Sequence, residues 1–191
     1  MLTGPNGSGK TTLLRCLSTE LRPHFGHIHV NGHDLWTHRD TLRSQIAFVA
    51  HSTRLYDDLT ALENLTLLAA FRGDDIDPLH WISHVGLEQA KHRPVREYSA
   101  GMRRRLALAA ALMKQPQLLL LDEPFAALDH EGRELVSRAV TSLRDSGTTV
   151  VIATHRPQVA AGCCDWSIHM ADGQLKWQGT AESALQRGVA T

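Results

Sequence analysis

Apolar positions along the chain change their spacing in blocks, and each block predicts an element. Leu13, Leu14, Leu17 and Leu21 recur at three and four residues, which predicts a helix over residues 10–21, ended by Pro23 and Gly26. The period then drops to two. Ile28 and Val30 point one way, His27 and His29 the other, and Asn31-Gly32 follows, so a hairpin is expected over residues 26–35. Residues 46–49 make a second short apolar strand. Thr60-Ala61-Leu62-Glu63 has the form of a capping box and opens an apolar helix to about residue 71. Leu79, Ile82, Val85 and Leu87 predict a further helix over residues 74–91. Beyond Ser99, residues 101–114 are rich in Ala, Leu and Arg and read as a helix. Residues 117–122, Gln-Leu-Leu-Leu-Leu-Asp, form a continuous apolar run, the pattern of a parallel strand covered on both faces. A helix over residues 130–145, a strand over 148–153 and a final hairpin and helix complete an α/β order. Residues 57–97, helical between strands, read as a subdomain inserted in one domain spanning residues 1–191.

Composition narrows the class. A chain of 191 residues, 42% hydrophobic and 21% charged, is long enough and apolar enough to bury a core as one domain. Its 20 basic and 20 acidic residues cancel, which removes a chain-wide basic footprint for nucleic acid. Cys16, Cys163 and Cys164 make no disulfide or metal framework and fit a reducing compartment. No apolar run reaches the length of a membrane span and no leader pattern opens the chain, so a soluble protein is expected.

Residues 4–11 read Gly-Pro-Asn-Gly-Ser-Gly-Lys-Thr, with every fixed position of the phosphate-cradling loop filled. Glycines let backbone N–H groups converge on a polyphosphate, and the helix that follows adds its positive end. Lys10 is a mobile point charge for β- and γ-phosphates, and the Thr11 hydroxyl is a candidate Mg²⁺ ligand. Asp122-Glu123, at the end of the apolar run, is the natural partner. Asp122 can hold Mg²⁺ through water, and Glu123 can deprotonate the attacking water. Alone, an acidic pair after an apolar run is a common strand exit; a complete phosphate loop upstream changes its weight.

Tyr98-Ser99-Ala100-Gly101-Met102, just ahead of that strand, makes a resemblance specific. The chain resembles the ATP-binding subunit of ATP-binding-cassette (ABC) transporters. The family signature corresponds to residues 98–102, the D-loop to Ala127-Leu128-Asp129 and the switch histidine to Thr154-His155, in the family's order from Gly4 onward. The resemblance implies a P-loop NTPase core of the ABC ATPase type with an inserted helical subdomain, working on ATP and Mg²⁺. It implies that Gly4, Pro5, Asn6, Gly7, Ser8, Gly9, Lys10, Thr11 and Thr12 bind the nucleotide, that Thr11 and Asp122 serve the metal, and that Glu123 and His155 are catalytic. Ser99, Gly101 and Asp129 would act on nucleotide held by a second copy in a head-to-tail homodimer. The other implied partner is a transmembrane permease, which alone would contact the bilayer and would hold the chain peripherally at the cytoplasmic face of the inner membrane.

Two departures from the family pattern stand out. The glutamine expected after the strand over residues 46–49 is replaced by His51, a poorer Mg²⁺ ligand than an amide or carboxylate oxygen. Only Met1, Leu2 and Thr3 precede the loop, so the N-terminal strands, including the one that feeds it and a hairpin bearing an adenine-stacking aromatic, are expected to be missing. Trp36 and Tyr56 are not placed to substitute. His51, the stretch Leu59-Thr60-Ala61-Leu62-Glu63-Asn64-Leu65 and Thr154-His155-Arg156-Pro157 are similar to the haem-exporter branch of cytochrome c maturation. Tyr98-Ser99 with Gly101-Met102 and Arg105-Leu106 also resembles exporters of drugs, antibiotics or polysaccharides. A soluble ABC ATPase without a permease is a third possibility, usually marked by paired cassettes or basic extensions.

Blander readings cover the remaining features. His24, His27, His29 and His33 complete no recognised metal spacing and are expected on a solvated hairpin. Arg103, Arg104 and Arg105 read as a solvated helix face, with a phosphate or dimer contact by one of them as the alternative, Trp81 and Trp166 as core, and Cys163-Cys164 as packing.

Overall fold

The computed structural model describes residues 1–72 and 76–187. Along the chain run β1 (Leu2–Thr3), α1 (Lys10–Leu17), β2 (His29–Val30), β3 (His33–Asp34), α2 (Arg39–Gln45), β4 (Ile46–Val49), α3 (Ala61–Arg72) and α4 (Pro78–His84). They are followed by α5 (Ala100–Leu112), β5 (Leu118–Asp122), α6 (His130–Asp145), β6 (Thr149–Ala153), α7 (Pro157–Ala160), β7 (Trp166–Ala171), β8 (Gln174–Thr180) and α8 (Ala181–Gln186). Six strands form one sheet in the order β4-β5-β6-β1-β7-β8. All neighbours pair in parallel except β7 with β8.

The period-two geometry of a strand explains the apolar run at its centre. In β5, Leu118 and Leu120 enter one core with Leu2, Leu14, Leu35 and Leu42. Leu119 and Leu121 enter the opposite core with Leu108, Leu112, Val136 and Val140. Both faces are covered, so every position of β5 is buried and the run needs no polar alternation. A third core gathers Leu65 of α3, Ile82 of α4, Val95 and Tyr98, one face of α5 through Leu106 and Ala109, and Met113 just beyond it. Helix α5 therefore belongs to two cores at once.

Several expectations need correction. The strand that feeds the loop is present: Leu2 and Thr3 pair with β7 and Leu2 with Ala153 of β6. The strand is flanked on both sides, by β6 and β7. Helix α1 stops at Leu17 rather than residue 21, since Thr19 turns to φ 66° and breaks the helical run. The helix expected over 74–91 is α4 followed by a 3₁₀ turn at Glu88–Ala90; it starts at Pro78 and is capped by Asp77, whose carboxylate accepts from Leu79 N, while residues 74 and 75 lie outside the described residues. Trp166 is 51% exposed rather than core, whereas Trp81 packs against two of the cores. The capping box forms as written, Thr60 N donating to Glu63 at 2.8 Å and Glu63 N to Thr60 Oγ1 at 3.1 Å.

The three arginines do not make a solvated face. Arg103 pairs with Asp57, and Arg105 donates to the carbonyls of Val85 and Gly86 at 3.0 and 3.2 Å. Arg104, 6% exposed, turns into the core. Each has a backbone or carboxylate target that a count of charges along the chain does not reveal.

Antiparallel β2 and β3 form the expected hairpin, and Asp34 locks its exit. Its carboxylate accepts from Thr37 N at 2.8 Å and Trp36 N at 3.1 Å. These bonds, Thr37 first, hold the carboxyl down to about 2. A folded-state value below the unfolded one contributes stability above the ordinary carboxylate range, lost as pH falls from about 4 towards 2. Urea midpoints measured across that window are expected to show a shallower acid slope in Asp34→Asn than in the unaltered chain. His27 and His29 on this hairpin are exposed, with ring centroids 6.4 Å apart. Among the described residues, no three His, Cys, Asp or Glu side chains gather closely enough to hold a metal ion. No described helix is long and apolar enough to cross a membrane.

Candidate functional site

Parallel strands deliver their carboxyl ends to one edge of the sheet, and the loop after β1 opens there. A Cβ on Gly4 would lie 2.0 Å from the Met170 carbonyl oxygen, so the chain passes β7 as only glycine can. Gly9, at φ 99°, precedes α1 without a side-chain cap, which leaves the first N–H groups of the helix open to an anion. Lys10 is buried, and its ammonium donates to the carbonyls of Gly4 at 2.7 Å and Pro5 at 2.9 Å. The loop thus gathers a cation and a helix N-terminus around one concavity.

Register places the acidic pair against it. Asp122 ends β5 beside Ala153 and is 3% exposed. Its Oδ2 accepts from the Thr11 hydroxyl at 2.8 Å, which ties the loop to the neighbouring strand. Two hard oxygen donors at that spacing suit Mg²⁺, either directly or through water. Glu123 follows at φ 53°, a left-handed conformation that bulky residues adopt only when their surroundings enforce it. Here the enforcing contacts are visible: Glu123 Oε1 accepts from His155 N at 2.9 Å and lies 2.9 Å from His155 Nδ1, while Oε2 accepts from Thr154 Oγ1 at 3.3 Å. The result is a carboxylate fixed at the rim.

A cavity of about 700 Å³ joins these groups, lined by residues 4–12, His51, Asp122, Glu123, Thr154 and His155. Every loop residue expected to bind nucleotide is there, with Thr11 and Asp122, expected to serve the metal, and Glu123 and His155, expected to be catalytic. Ser99, Gly101 and Asp129 are not. Ser99 caps α5 by accepting from Met102 N at 3.2 Å, and Asp129 caps α6 by accepting from Gly132 N at 2.8 Å. Gly101 instead abuts the segment before Asp129, since a Cβ on it would meet the Ala127 carbonyl at 3.0 Å and Leu128 at 3.3 Å. Thr154 is the lining residue to which the sequence assigned no role. Its place immediately before the switch histidine was the available signal.

Comparison with known proteins identifies the family. Residues 1–126 match the family model described as ABC transporter. The daunorubicin resistance ATP-binding protein of Streptomyces coeruleorubidus is 38% identical over 189 residues, covering 94% of this chain and 58% of that protein. A cytochrome c biogenesis ATP-binding export protein of Nitrosococcus oceani is 38% identical over 154 residues, covering 81% of this chain and 71% of that protein. Among solved structures, the dimeric post-hydrolysis state of an ATP-binding cassette bound to ADP and Pi superposes with TM-score 0.84 at 27% identity, covering 94% of this chain and 84% of that one. The chain belongs to the ABC transporter family and has the fold of its ATP-binding domain. It spans little more than half the length of the daunorubicin resistance protein.

Proposed function

We propose that the chain is the ATP-hydrolysing subunit of an ABC export complex. The observation that carries this reading is the pair of links across the cavity, Thr11 to Asp122 and Glu123 to His155. Backbone N–H groups of residues 4–12 and Lys10 hold the β- and γ-phosphates of ATP. Thr11, and Asp122 through water, would hold Mg²⁺, which when bound would supply charge neutralisation at those phosphates. Glu123 takes the proton of a water that attacks the γ-phosphorus, and the bond to the ADP oxygen breaks. His155 keeps Glu123 oriented and reaches the γ-phosphate.

Ser99, Gly101 and Asp129 act across a head-to-tail homodimer, where the N-terminus of α5 faces the γ-phosphate of the partner's nucleotide. Residues 57–97 serve as the helical subdomain. A permease grips the groove beside His51, which is lined by Phe48, Ala50, Arg54, Leu55, Leu68 and Ala107 and encloses about 230 Å³. The complex sits at the cytoplasmic face of the inner membrane, with this chain peripheral.

The cargo we favour is haem, on the likeness around His51 and residues 59–65. A drug, antibiotic or polysaccharide exporter is the second reading, favoured by the longer match of the daunorubicin resistance protein. The deciding experiment is to tag the chain, solubilise membranes gently and identify what co-purifies. A small permease with cytochrome c maturation components is the expected result. A drug-type permease moves the cargo and leaves the ATPase reading intact, and ATP turnover without any membrane partner overturns the transport reading.

A further inference from the structure

Arg104 lies buried in the second turn of α5, the helix whose residues enter both the sheet core and the core of the helical layer. Its Nη1 donates to two carbonyls from distant parts of the chain, Ala50 at 2.9 Å and Asp122 at 3.2 Å. Ala50 immediately precedes His51, and Asp122 carries the carboxylate that receives Thr11. The flanking arginines point elsewhere: Arg103 binds Asp57, and Arg105 binds the carbonyls of Val85 and Gly86. One turn of helix thus holds the helical layer with two guanidinium groups and the catalytic edge of the sheet with the third.

We infer that Arg104 is a positioning residue, which transmits the position of the signature helix to the metal-facing end of β5 and to the His51 loop. The inference rests on the nucleotide reading above. Burial pushes the guanidinium down from its usual range, and the Asp122 and Glu123 carboxylates oppose that. An apolar side chain would fill such a place at lower cost in desolvation. A cation there is explained by its geometry: the two N–H groups of Nη1, held in the guanidinium plane, fix two carbonyls together, which a freely rotating ammonium on a flexible stem does poorly. Because the bonds go to main-chain oxygens, Arg104 sets where Asp122 sits without consuming the carboxylate that Thr11 and the metal use.

The test is the binding of a fluorescent ATP analogue to the full chain, with Mg²⁺ and with chelator, in the unaltered protein, Arg104→Met and Arg104→Lys. The ratio of the two affinities reports how well Asp122 and Thr11 are set for the metal, whereas the metal-free affinity reports the loop and Lys10. Arg104→Met is expected to lose about tenfold of the Mg²⁺ enhancement, as removal of hydrogen bonds from a charged donor implies, with metal-free affinity unchanged within about twofold. Arg104→Lys is expected to recover part of the enhancement, and it decides the matter if the Met variant does not fold. An unchanged ratio in the folded variants overturns the inference alone, as does an equal loss with and without Mg²⁺, which would mark a general structural role. Failure of the unaltered chain to bind the analogue overturns the nucleotide reading and this inference with it.

Discussion

Glu123→Gln is expected to lower steady-state ATP turnover by about a thousandfold, within the range by which a positioned general base accelerates proton transfer, while ATP is still bound. The substitution is close to isosteric. The amide oxygen can go on accepting from the His155 N–H now bound at 2.9 Å, so the left-handed turn at φ 53° keeps its restraint. What disappears is the capacity to take a proton from water. Nucleotide would then be held without being consumed, and two copies closed over ATP should persist. Phosphate release gives the rate, and light scattering coupled to size exclusion gives the dimer. A variant that turns over at the parent rate would remove Glu123 from the base role and leave His155, whose Nδ1 lies beside it, as the next candidate.

The parts of this site that could be read in the sequence are those in which the chemistry dictates residue types at fixed offsets. Residues 4–11 are such a case, because the phosphate-cradling pattern fixes its glycines, Lys10 and Thr11 at set offsets, and the structure gathers them around one cavity. The capping box at Thr60 and Glu63 is another, since both reciprocal bonds lie within four residues. The two-sided burial of β5 was equally open, because an uninterrupted apolar run has no face to spare for solvent. Features that depend on a distant neighbour were hidden. Nothing local told that Leu2 and Thr3 would form β1, because their pairing partners lie far along the chain in β6 and β7. Helix α2 was not anticipated because it buries a single residue, Leu42, and so has no apolar stripe to read. The arginine run did carry a signal. Arg104 stands four, seven and eight residues before Leu108, Ala111 and Leu112, all core positions, and helical spacing puts it on their face. Charge outweighed position in that reading, and position was right.

Gly4→Ala is expected to cost more than about 3 kcal/mol of folding stability, the sum of a strained backbone conformation and an overpacked contact. Gly4 sits at φ 139°, and its missing Cβ leaves the chain free to pass the Met170 carbonyl, which an alanine methyl would meet at 2.0 Å. The obstacle is main chain, so no side chain can swing aside. Movement of Met170 would have to come from β7, which holds Leu2 and Thr3 through Ile168 and His169 on one side and β8 on the other. Gly147→Ala separates the two contributions, because Gly147 has φ 95° with no atom within 4 Å of its Cβ position. That variant is expected to lose only about 1–2 kcal/mol, the cost of left-handed backbone for a residue with a Cβ. Urea midpoints compared at equal m-values measure both losses. If the two variants lose the same amount, β7 yields at Met170 and the loop is anchored by Lys10 and Thr11 rather than by its passage along the sheet. If Gly4→Ala loses far more, the phosphate loop is placed by contact with β7, and its shape is set by the sheet before any nucleotide arrives.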